Sequence, residues 1–345
     1  MIRKLLRIVA ALIFIAGIVA VVIAWRANVW LQTPIEGLSE ISTFEVERGG
    51  SLRTVASQLN GRGWLDQPNV WIAWARLTGR AGGLKAGEYE IAPGLSPRAL
   101  LDRLSSGDVV LHAITFIEGS RFAEIRKQLA KHPAVAQKAA TMSSEDLMRD
   151  LGAPGAHPEG QFFPDTYHFA RGTSDLELLG IAYRRMQSEL DAAWAARAPD
   201  LPLATKYEAL ILASVVEKET ALDSERPQIA GVFIERLKRG MRLQTDPTVI
   251  YGIGENYDGN IRRADLLRDT PYNTYTRSGL PPTPIALAGA DSIRAAVQPK
   301  MTGALFFVAT GRGDGSHHFS ATLEEHNAAV QRYLRQLRQQ RSPQR

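Results

Sequence analysis

The chain has 345 residues, of which 45% are hydrophobic and 22% charged. This composition is typical of globular proteins and excludes a single small binding module and a disordered or collagen-like chain. The 41 Lys and Arg residues exceed the 36 Asp and Glu residues by five, which is too small an excess to indicate a nucleic-acid-binding protein. The sequence contains no cysteine, which excludes disulfide scaffolds, thiolate metal sites and cysteine nucleophiles.

The N-terminal segment predicts a membrane anchor within residues 1–30. Ile8 to Trp25 form an uncharged stretch of 18 residues, and a helix of this length spans about 27 Å, close to the hydrocarbon thickness of a bilayer. Arg3, Lys4 and Arg7 precede it, which favours a cytoplasmic N-terminus. The alternatives are a buried core helix and a cleaved signal peptide, but the stretch exceeds the usual h-region and no clean A-x-A site follows. We expect an uncleaved single-pass anchor.

The remaining chain predicts an α+β fold with several parts. Residues 31–43 contain Pro34, Gly37 and several Ser and Thr, and predict an extended tether. In residues 44–108, short strands, glycine turns and capped helices follow one another. Their order resembles a small LysM-like domain, a module that lies along polysaccharide chains. A larger mixed domain over 109–335 and a disordered basic tail over 336–345 complete the predicted organisation.

Aromatic and polar residues are interleaved in EGQFFPDTY, residues 159–167. Pyranose faces stack on aromatic rings, and sugar hydroxyls bond carboxylates and phenols. Phe163, Asp165 and Tyr167 are therefore candidates for a sugar-binding wall. The alternative is a packed loop that bridges two subdomains, and the residues alone leave both interpretations open.

Residues 207–220, YEALILASVVEKET, predict a buried helix that ends in two glutamates. Eight apolar or small residues precede Glu217, so the carboxylates emerge where the helix leaves the core. Residues i and i+2 lie about 200° apart on a helix, so Glu217 and Glu219 cannot face one cleft. We expect one to be catalytic and the other an ion-pair or capping partner. A carboxyl group at the end of an apolar wall has a raised pKa and suits a general acid; the alternative is an exposed helix end.

Several dense polar strings follow that helix. They are RLQTDPTVIY at 242–251, TPYNTYT at 270–276, GLPP at 279–282, HHFS at 317–320 and EHN at 325–327. At these residues, and at EGQFFPDTY and VEKET, the chain closely resembles the MltG (YceG-like) family of membrane-anchored endolytic murein transglycosylases. The resemblance covers nearly the whole chain, including the anchor and the LysM-like unit.

The resemblance implies cleavage of the β-1,4 bond between N-acetylmuramic acid and N-acetylglucosamine without water. The product is a 1,6-anhydro end that terminates nascent glycan strands beside the peptidoglycan synthases, the penicillin-binding proteins. It also implies a bacterial inner-membrane protein whose catalytic domain, with a lysozyme-like catalytic helix, is periplasmic. Membrane lipid and glycan strands are the other expected partners. In related folds a small hydroxyl residue follows the acid, and Glu219-Thr220 is similar to that pair, so Glu219 is assigned as the acid.

The expected chemistry uses a single carboxyl group. Glu219 protonates the glycosidic oxygen and then takes the proton of the muramoyl C6 hydroxyl as that oxygen attacks C1. Because the nucleophile belongs to the same sugar, neither a second carboxylate nor a metal or redox cofactor is required. The expected substrate-binding residues are polar and lie in the C-terminal strings: Gln244, Asp246, Tyr251, Asn273 and Tyr275. Each has the alternative role of stabilising a loop, as Asp246 does if it shapes a turn before Pro247.

Other chemistries fit the sequence less well. His317, His318 and His326 suggest a zinc site, but adjacent histidines diverge in a strand and no HExxH string occurs, so no metal is expected. A serine hydrolase lacks its G-x-S-x-G elbow, and Ser214 lies inside the apolar helix. Two alternatives stay open: a non-catalytic peptidoglycan-binding scaffold for cell-wall synthases, and a lysozyme-type hydrolase in which Asp246 or Glu217 activates water.

Overall fold

A computed structural model describes residues 2–341 and has a mixed α and β architecture with one N-terminal apolar helix. The chain divides into two compact units. The first is Met1–His112 with His168–Thr173, and the second is Ala113–Tyr167 with Ser174–Arg345. The division after His112 lies close to the boundary predicted after residue 108. The return of residues 168–173 to the first unit was not predicted.

The first unit is built around one antiparallel strand pair. Its elements are α1 (Ile2–Gln32), β1 (Ser42–Val46), α2 (Leu52–Gly61), α3 (Pro68–Leu77), β2 (Gly87–Ile91) and α4 (Pro97–Ser106). β1 pairs with β2 in the register Ser42 to Ile91 and Val46 to Gly87. Ser51 and Ser96 cap α2 and α4 with their side-chain oxygens, as the sequence predicts. The core between these elements contains the fully buried Phe44, Trp71, Tyr89 and Leu100.

The helix α1 is long and apolar enough to cross a membrane. Its most apolar window of 18 residues has a mean hydropathy of 3.0, and none of that window is buried within the protein. The predicted span of residues 8–25 lies entirely inside α1. Among the described residues it is the one helix that meets these criteria of length and composition.

The segment after the apolar stretch is packed, which corrects the prediction of an extended tether over 31–43. α1 continues to Gln32, and Leu31, Ile35 and Leu38 are buried in the core of the first unit. The backbone N–H of Ile35 donates to the carbonyl oxygen of Leu95 at 2.9 Å. Gly37 is required there, because a Cβ at this position would lie 2.4 Å from the carbonyl oxygen of Gly63. Proline and glycine mark turns in this segment, but three apolar side chains fix it to the domain.

The second unit is mainly helical. The elements from the end of the first unit onward are β3 (Leu111–Thr115), α5 (Phe122–Lys131), β4 (Val135–Ala136), α6 (Ser144–Asp150), β5 (Thr166–Ala170), β6 (Thr173–Ser174), α7 (Asp175–Ala195), α8 (Lys206–Glu219), α9 (Arg226–Lys238), α10 (Asp246–Ile253), α11 (Arg263–Leu267), α12 (Ala290–Val297), β7 (Phe306–Ala309), β8 (His317–Ser320) and α13 (Leu323–Arg341). The strands pair as β3 with β5, β4 with β6 and β7 with β8. The chain passes from one unit to the other along β3 and β5.

The helix α8 forms the centre of the second unit. Residues 209–216 are all buried, and α8 packs against α7, α9, α10 and α12. Ser214 is accommodated because its hydroxyl donates to the carbonyl of Ile211 at 2.7 Å and accepts from the N–H of Ile285 at 3.0 Å. Thr205 caps the helix by accepting a hydrogen bond from the N–H of Glu208. The buried helix predicted over 207–220 is thus present and ends at Glu219.

The C-terminal segment is more ordered than the sequence analysis predicted. α13 continues to Arg341, so residues 336–341 are helical and not a disordered tail. Charged and polar residues dominate this stretch. Such a composition is typical of a solvated tail, but it also suits a helix whose last turns face water. Residues 342–345 of the predicted tail lie outside the described residues.

Candidate active site

The side chain of Glu219 borders a pocket of about 480 Å³ in the second unit. Glu219 is the last residue of α8, and Thr220 leaves the helix with an extended backbone at φ −144° and ψ 140°. Several elements line the pocket: the end of α8, α9, the start of α10 with the segment before it, the loop that carries Tyr275, β7 and α13. The lining residues are Glu219, Arg236, Leu243, Gln244, Asp246, Tyr275, Phe306, Phe307, Leu323, His326 and Asn327. Three of the five predicted substrate-binding residues, Gln244, Asp246 and Tyr275, therefore share a pocket with Glu219.

The environment of Glu219 favours its protonated form. Burial raises the pKa of Glu219 to about 7, because the charged form loses its hydration. The negative charge of Asp246 acts in the same direction. The hydroxyl of Thr245, which donates to Oε1 of Glu219, and the charge of Arg236 oppose the shift. A carboxyl group with this pKa donates a proton and accepts one back at neutral pH.

Asp246 is held at the pocket by Tyr275. The hydroxyl of Tyr275 donates to Oδ1 of Asp246 at 2.6 Å, and burial together with this bond raises the pKa of Tyr275 above its ordinary value. Asp246 is the first residue of α10, where the positive end of the helix dipole favours a carboxylate. The pocket thus contains a second carboxylate with a defined position.

Gln244 reaches the pocket from a strained backbone. Its φ is 51°, a left-handed conformation that few residues other than glycine adopt. Its N–H donates to the carbonyl oxygen of Thr274 at 3.2 Å, and the hydroxyl of Thr274 accepts from the N–H of Thr245. These bonds fix the turn that exposes the Gln244 side chain to the pocket.

Arg236, on α9, forms the buried wall of the pocket. Its Nε donates to the carbonyl oxygen of Leu305 at 2.7 Å and its Nη1 to that of Leu243 at 2.6 Å. Its guanidinium lies 5.2 Å from the centre of the Phe306 ring. Burial lowers the pKa of Arg236. The residue joins the start of β7 to the segment before α10, and its positive charge acts on Glu219.

The three histidines of the candidate metal site have separate partners. Nδ1 of His317 lies 2.7 Å from Glu225, and Nε2 of His318 lies 3.1 Å from Arg332. His326 stacks on Phe306 with the ring centres 5.1 Å apart. Within residues 2–341 no group of three or more His, Asp or Glu side chains is arranged to hold a metal ion.

Tyr251 and Asn273 do not line the pocket. The hydroxyl of Tyr251 donates to the buried Glu159 at 3.1 Å. Asn273 is buried, and its Nδ2 donates to the carbonyl oxygen of Arg268 at 2.7 Å. Its Oδ1 accepts from the N–H of Tyr275 at 2.9 Å, so Asn273 fixes the backbone that carries Tyr275. Both residues have the loop-stabilising role that the sequence analysis left open.

Glu217 points away from Glu219 and has an ion-pair role. Its side chain is 5% exposed and lies 3.3 Å from Arg226. Its second carboxylate oxygen accepts from the N–H of Gly289 at 3.0 Å. The geometry agrees with the predicted division between one carboxyl group on a cleft and one in an ion pair.

The segment EGQFFPDTY forms a packed loop and not a sugar-binding wall. Phe163 is buried in the core of the second unit, and the hydroxyl of Tyr167 donates to the Phe163 carbonyl at 2.6 Å. The Tyr167 ring packs on Phe116 at 5.1 Å. Asp165 is exposed and accepts from the N–H of Thr166. None of the three predicted residues lines the pocket of Glu219.

The profile of the YceG-like family matches residues 44–332. The chain belongs to the YceG-like family. An endolytic murein transglycosylase of Bacillus subtilis is 31% identical over 322 residues, which are 88% of this chain and 88% of that protein. One of Streptococcus pneumoniae is 27% identical over 328 residues, 85% of this chain and 58% of that longer protein.

A solved structure supports the same family fold. The crystal structure of a YceG-like protein from Listeria monocytogenes is 27% identical to this chain. The two structures superpose with a TM-score of 0.52, and the match covers 84% of this chain and 99% of the other.

Seven of the eleven residues that line the pocket of this YceG-like chain were not predicted as site residues, among them Arg236, Phe306, His326 and Asn327. Arg236 follows an apolar run in α9, and this position in the sequence is the available signal that the arginine is buried, at 7% exposure. His326 and Asn327 belong to the EHN string, which the sequence analysis noted for the family and not for the pocket. α13 and β7 come close to α8 only in the tertiary structure, and no local sequence pattern predicts this contact.

Proposed function

We propose that the chain is an endolytic peptidoglycan lytic transglycosylase with Glu219 as its catalytic acid and base. It cleaves the β-1,4 bond between N-acetylmuramic acid and N-acetylglucosamine in nascent glycan strands, leaves 1,6-anhydro-N-acetylmuramic acid ends and so terminates elongation. The observation that carries this proposal is the carboxyl group of Glu219, with its pKa raised to about 7, on a pocket of about 480 Å³. The names of the Bacillus and Streptococcus relatives support the reaction class.

The first step is protonation of the leaving group. Glu219 is protonated in a large fraction of molecules at neutral pH and donates its proton to the glycosidic oxygen as the bond from that oxygen to C1 breaks. Positive charge develops at C1 and on the ring oxygen. The carboxylate of Asp246, on the same pocket, stabilises this charge electrostatically.

The second step closes the anhydro ring. The carboxylate of Glu219 takes the proton of the C6 hydroxyl while the C6 oxygen forms its bond to C1. One bond to C1 breaks and one forms, and Glu219 regains the proton that it gave away. The attack is intramolecular, so positioning of the muramoyl unit supplies much of the rate. Gln244 and Asn327 are the pocket residues whose amides suit the sugar hydroxyl and acetamido groups.

One observation favours a second candidate, a lysozyme-type hydrolase. Asp246 is a second carboxylate on the pocket, and Tyr275 fixes its position. In that reaction Asp246 activates a water molecule that attacks C1 in place of the C6 oxygen. The two reactions share Glu219 and differ in their product by one water molecule.

The domain arrangement is part of the proposal. The order β1, α2, α3, β2 with antiparallel pairing of the strands supports a LysM-like domain over residues 44–108. We assign catalysis to residues 109–335, which contain the pocket. The helix α1 supports a single-pass anchor in the bacterial inner membrane. Arg3, Lys4 and Arg7 favour an N-terminus in the cytoplasm and a periplasmic catalytic domain. Membrane lipid and peptidoglycan synthases are the proposed partners beside the glycan strand.

The test is mass spectrometry of the products from isolated uncrosslinked glycan strands. The full-length protein in detergent is compared with Glu219→Gln and with a control, Glu145→Gln, which changes an exposed glutamate of α6. Anhydro ends from the wild type and the control, and none from Glu219→Gln, support the transglycosylase. Reducing ends with an added water establish the hydrolase. Strands that are bound but not cut establish a scaffold.

A further inference from the structure

A second pocket, of about 230 Å³, lies in the first unit where the end of α1 packs on the domain. Trp30, Glu36, Trp64 and Asp66 are among its lining residues. It takes no part in the chemistry assigned to the pocket of Glu219. We call it the anchor pocket.

The anchor pocket has a rigid wall. The indole N–H of Trp30 donates to Oδ1 of Asp66 at 2.7 Å. Leu31 and Ile35, on either side of the turn that follows, are 4% and 8% exposed. The end of α1 is therefore fixed to the first unit by a hydrogen bond and by core packing, and the pocket keeps its position relative to the helix.

The depth of the anchor pocket follows from the helix. This step rests on the proposed membrane anchor. Trp30 is five residues beyond Trp25, the last residue of the uncharged stretch, which corresponds to about 7.5 Å along a helix. The polar interfacial layer on each side of a bilayer is about 5 to 7 Å thick. On this premise the pocket lies at the level of the phospholipid headgroups, which are the most concentrated charged groups at that depth.

The chemistry of the anchor pocket suits a primary ammonium group. Glu36 and Asp66 are exposed carboxylates, and among the described residues no lysine or arginine forms an ion pair with either. Aromatic rings attract cations through their faces. The guanidinium of Arg62 already lies over Trp64 at 5.2 Å, so we assign the ammonium group to the side formed by Trp30, Glu36 and Asp66.

A basic residue that can bind a phosphate lies one helical turn before Trp30. Arg26 is exposed and precedes Trp30 by four residues, a spacing that puts both on the same face of α1. Its charge lies on the membrane side of the pocket. We propose that the anchor pocket binds a phosphoethanolamine headgroup, with the phosphate at Arg26 and the ammonium group at Glu36 and Asp66. Such binding holds the first unit against the membrane surface.

The experiment measures which lipids stay bound to the full-length protein. The protein is reconstituted into vesicles with equal parts of phosphatidylethanolamine, phosphatidylcholine and phosphatidylglycerol of identical acyl chains, and native mass spectrometry identifies the lipids retained after gentle extraction. We expect at least a fivefold preference for phosphatidylethanolamine over phosphatidylglycerol. Phosphatidylcholine should be intermediate, because its trimethylammonium group donates no strong hydrogen bond to a carboxylate.

Single substitutions locate the site. Glu36→Gln should reduce the preference at least threefold and is not expected to disturb the fold, because Glu36 is exposed. Asp66→Asn should do the same, although it also alters the bond to Trp30. Arg26→Gln should lower retention of all three lipids, because each of them carries the phosphate. Glu40→Gln changes an exposed glutamate that does not line the pocket and serves as the matched control.

Two failures are distinguishable in this experiment. Carbonate extraction of the vesicles reports whether the protein is inserted. A protein that washes off has no anchor, and both the anchor and the headgroup site are then wrong. Equal retention of the three lipids by inserted protein, or the same preference in Glu36→Gln as in the wild type, overturns the headgroup site alone.

Discussion

Tyr275 donates a hydrogen bond of 2.6 Å to Asp246, and both side chains line the pocket that Glu219 borders. Asp246 in turn raises the pKa of Glu219, whereas Thr245 on the other side lowers it. Burial is the main cause of the raised pKa of Glu219, and these two neighbours adjust it in opposite directions. Each of them can be removed separately.

Removal of the acid should abolish cleavage with little effect on folding. We expect Glu219→Gln to lower kcat by about 1,000-fold, since general acid–base catalysis contributes about 100- to 10,000-fold. Product release from glycan strands measures the rate, and circular dichroism checks the fold. Activity of Glu219→Gln within tenfold of Glu145→Gln would show that another group is the acid.

The two neighbours of Glu219 should shift the pH profile in opposite directions. A general acid loses activity as pH rises through its pKa, which is about 7 for Glu219. Asp246→Asn removes a negative charge and should move the alkaline limb of kcat/KM, which reports the pKa of the free enzyme, to lower pH. Thr245→Val removes a hydrogen bond to the charged form and should move it to higher pH. Residual activities of both variants are measured from pH 5 to pH 9, and shifts in the same direction would contradict this assignment.

Glu219 should also make the folded protein less stable as pH rises. Its pKa is 4.5 as a model value and about 7 in the folded protein, so the folded state binds more protons between these values. The free energy of unfolding therefore decreases from pH 4.5 to pH 7. Glu219→Gln should weaken this decrease. The difference in the free energy of unfolding between variant and wild type should therefore change by about 1 to 2 kcal/mol over this pH range, after allowance for the partial exposure of Glu219. Urea unfolding at pH 5 and pH 8 measures it; a difference that is constant with pH contradicts the raised pKa.

His326 should contribute to substrate binding as a neutral imidazole. Burial, together with the charge of Arg236, lowers its pKa, and its Nδ1 is buried with no hydrogen-bond partner among the described residues. We expect His326→Ala to lower kcat/KM about tenfold, the size of a lost hydrogen bond to a polar ligand. His318→Ala changes the exposed histidine of β8 and should leave kcat/KM unchanged. Equal effects of the two substitutions would remove His326 from the site.

The packing of the segment after the anchor predicts a stability effect. Leu31→Ala removes a side chain that is 4% exposed in the core of the first unit, and truncation of a buried leucine costs about 2 to 5 kcal/mol. Leu12→Ala, which changes an exposed side chain of α1, is the control and should have little effect. Thermal unfolding of the full-length protein in detergent compares them. Equal melting temperatures of Leu31→Ala and Leu12→Ala would show that this segment does not stabilise the first unit, as expected of an extended tether.

The sequence predicted those features that depend on local patterns. A run of eight apolar or small residues was enough to predict a buried helix and the position of Glu219 at its end, and the family assignment is confirmed by the profile match over residues 44–332. Tyr251 and Asn273 were polar residues in the right strings, but Tyr251 bonds the buried Glu159 and Asn273 bonds the backbone of Arg268, away from the pocket. The direction in which each of these side chains points is set by tertiary contacts, which a local sequence pattern does not predict. The same holds for Leu31 and Ile35, whose burial depends on a core formed by later residues.

The helix α8 runs toward the pocket with its carboxyl end, so Glu219 lies among the last carbonyl groups of the helix. Those carbonyls carry a partial negative charge of about half an electron. A carboxylate at the opposite end of the same helix would meet the N–H groups and stay ionised. The direction in which α8 runs through the core therefore adds to the negative potential that keeps Glu219 protonated. A circular permutation that keeps the direction of α8 would keep this contribution to the pKa of Glu219.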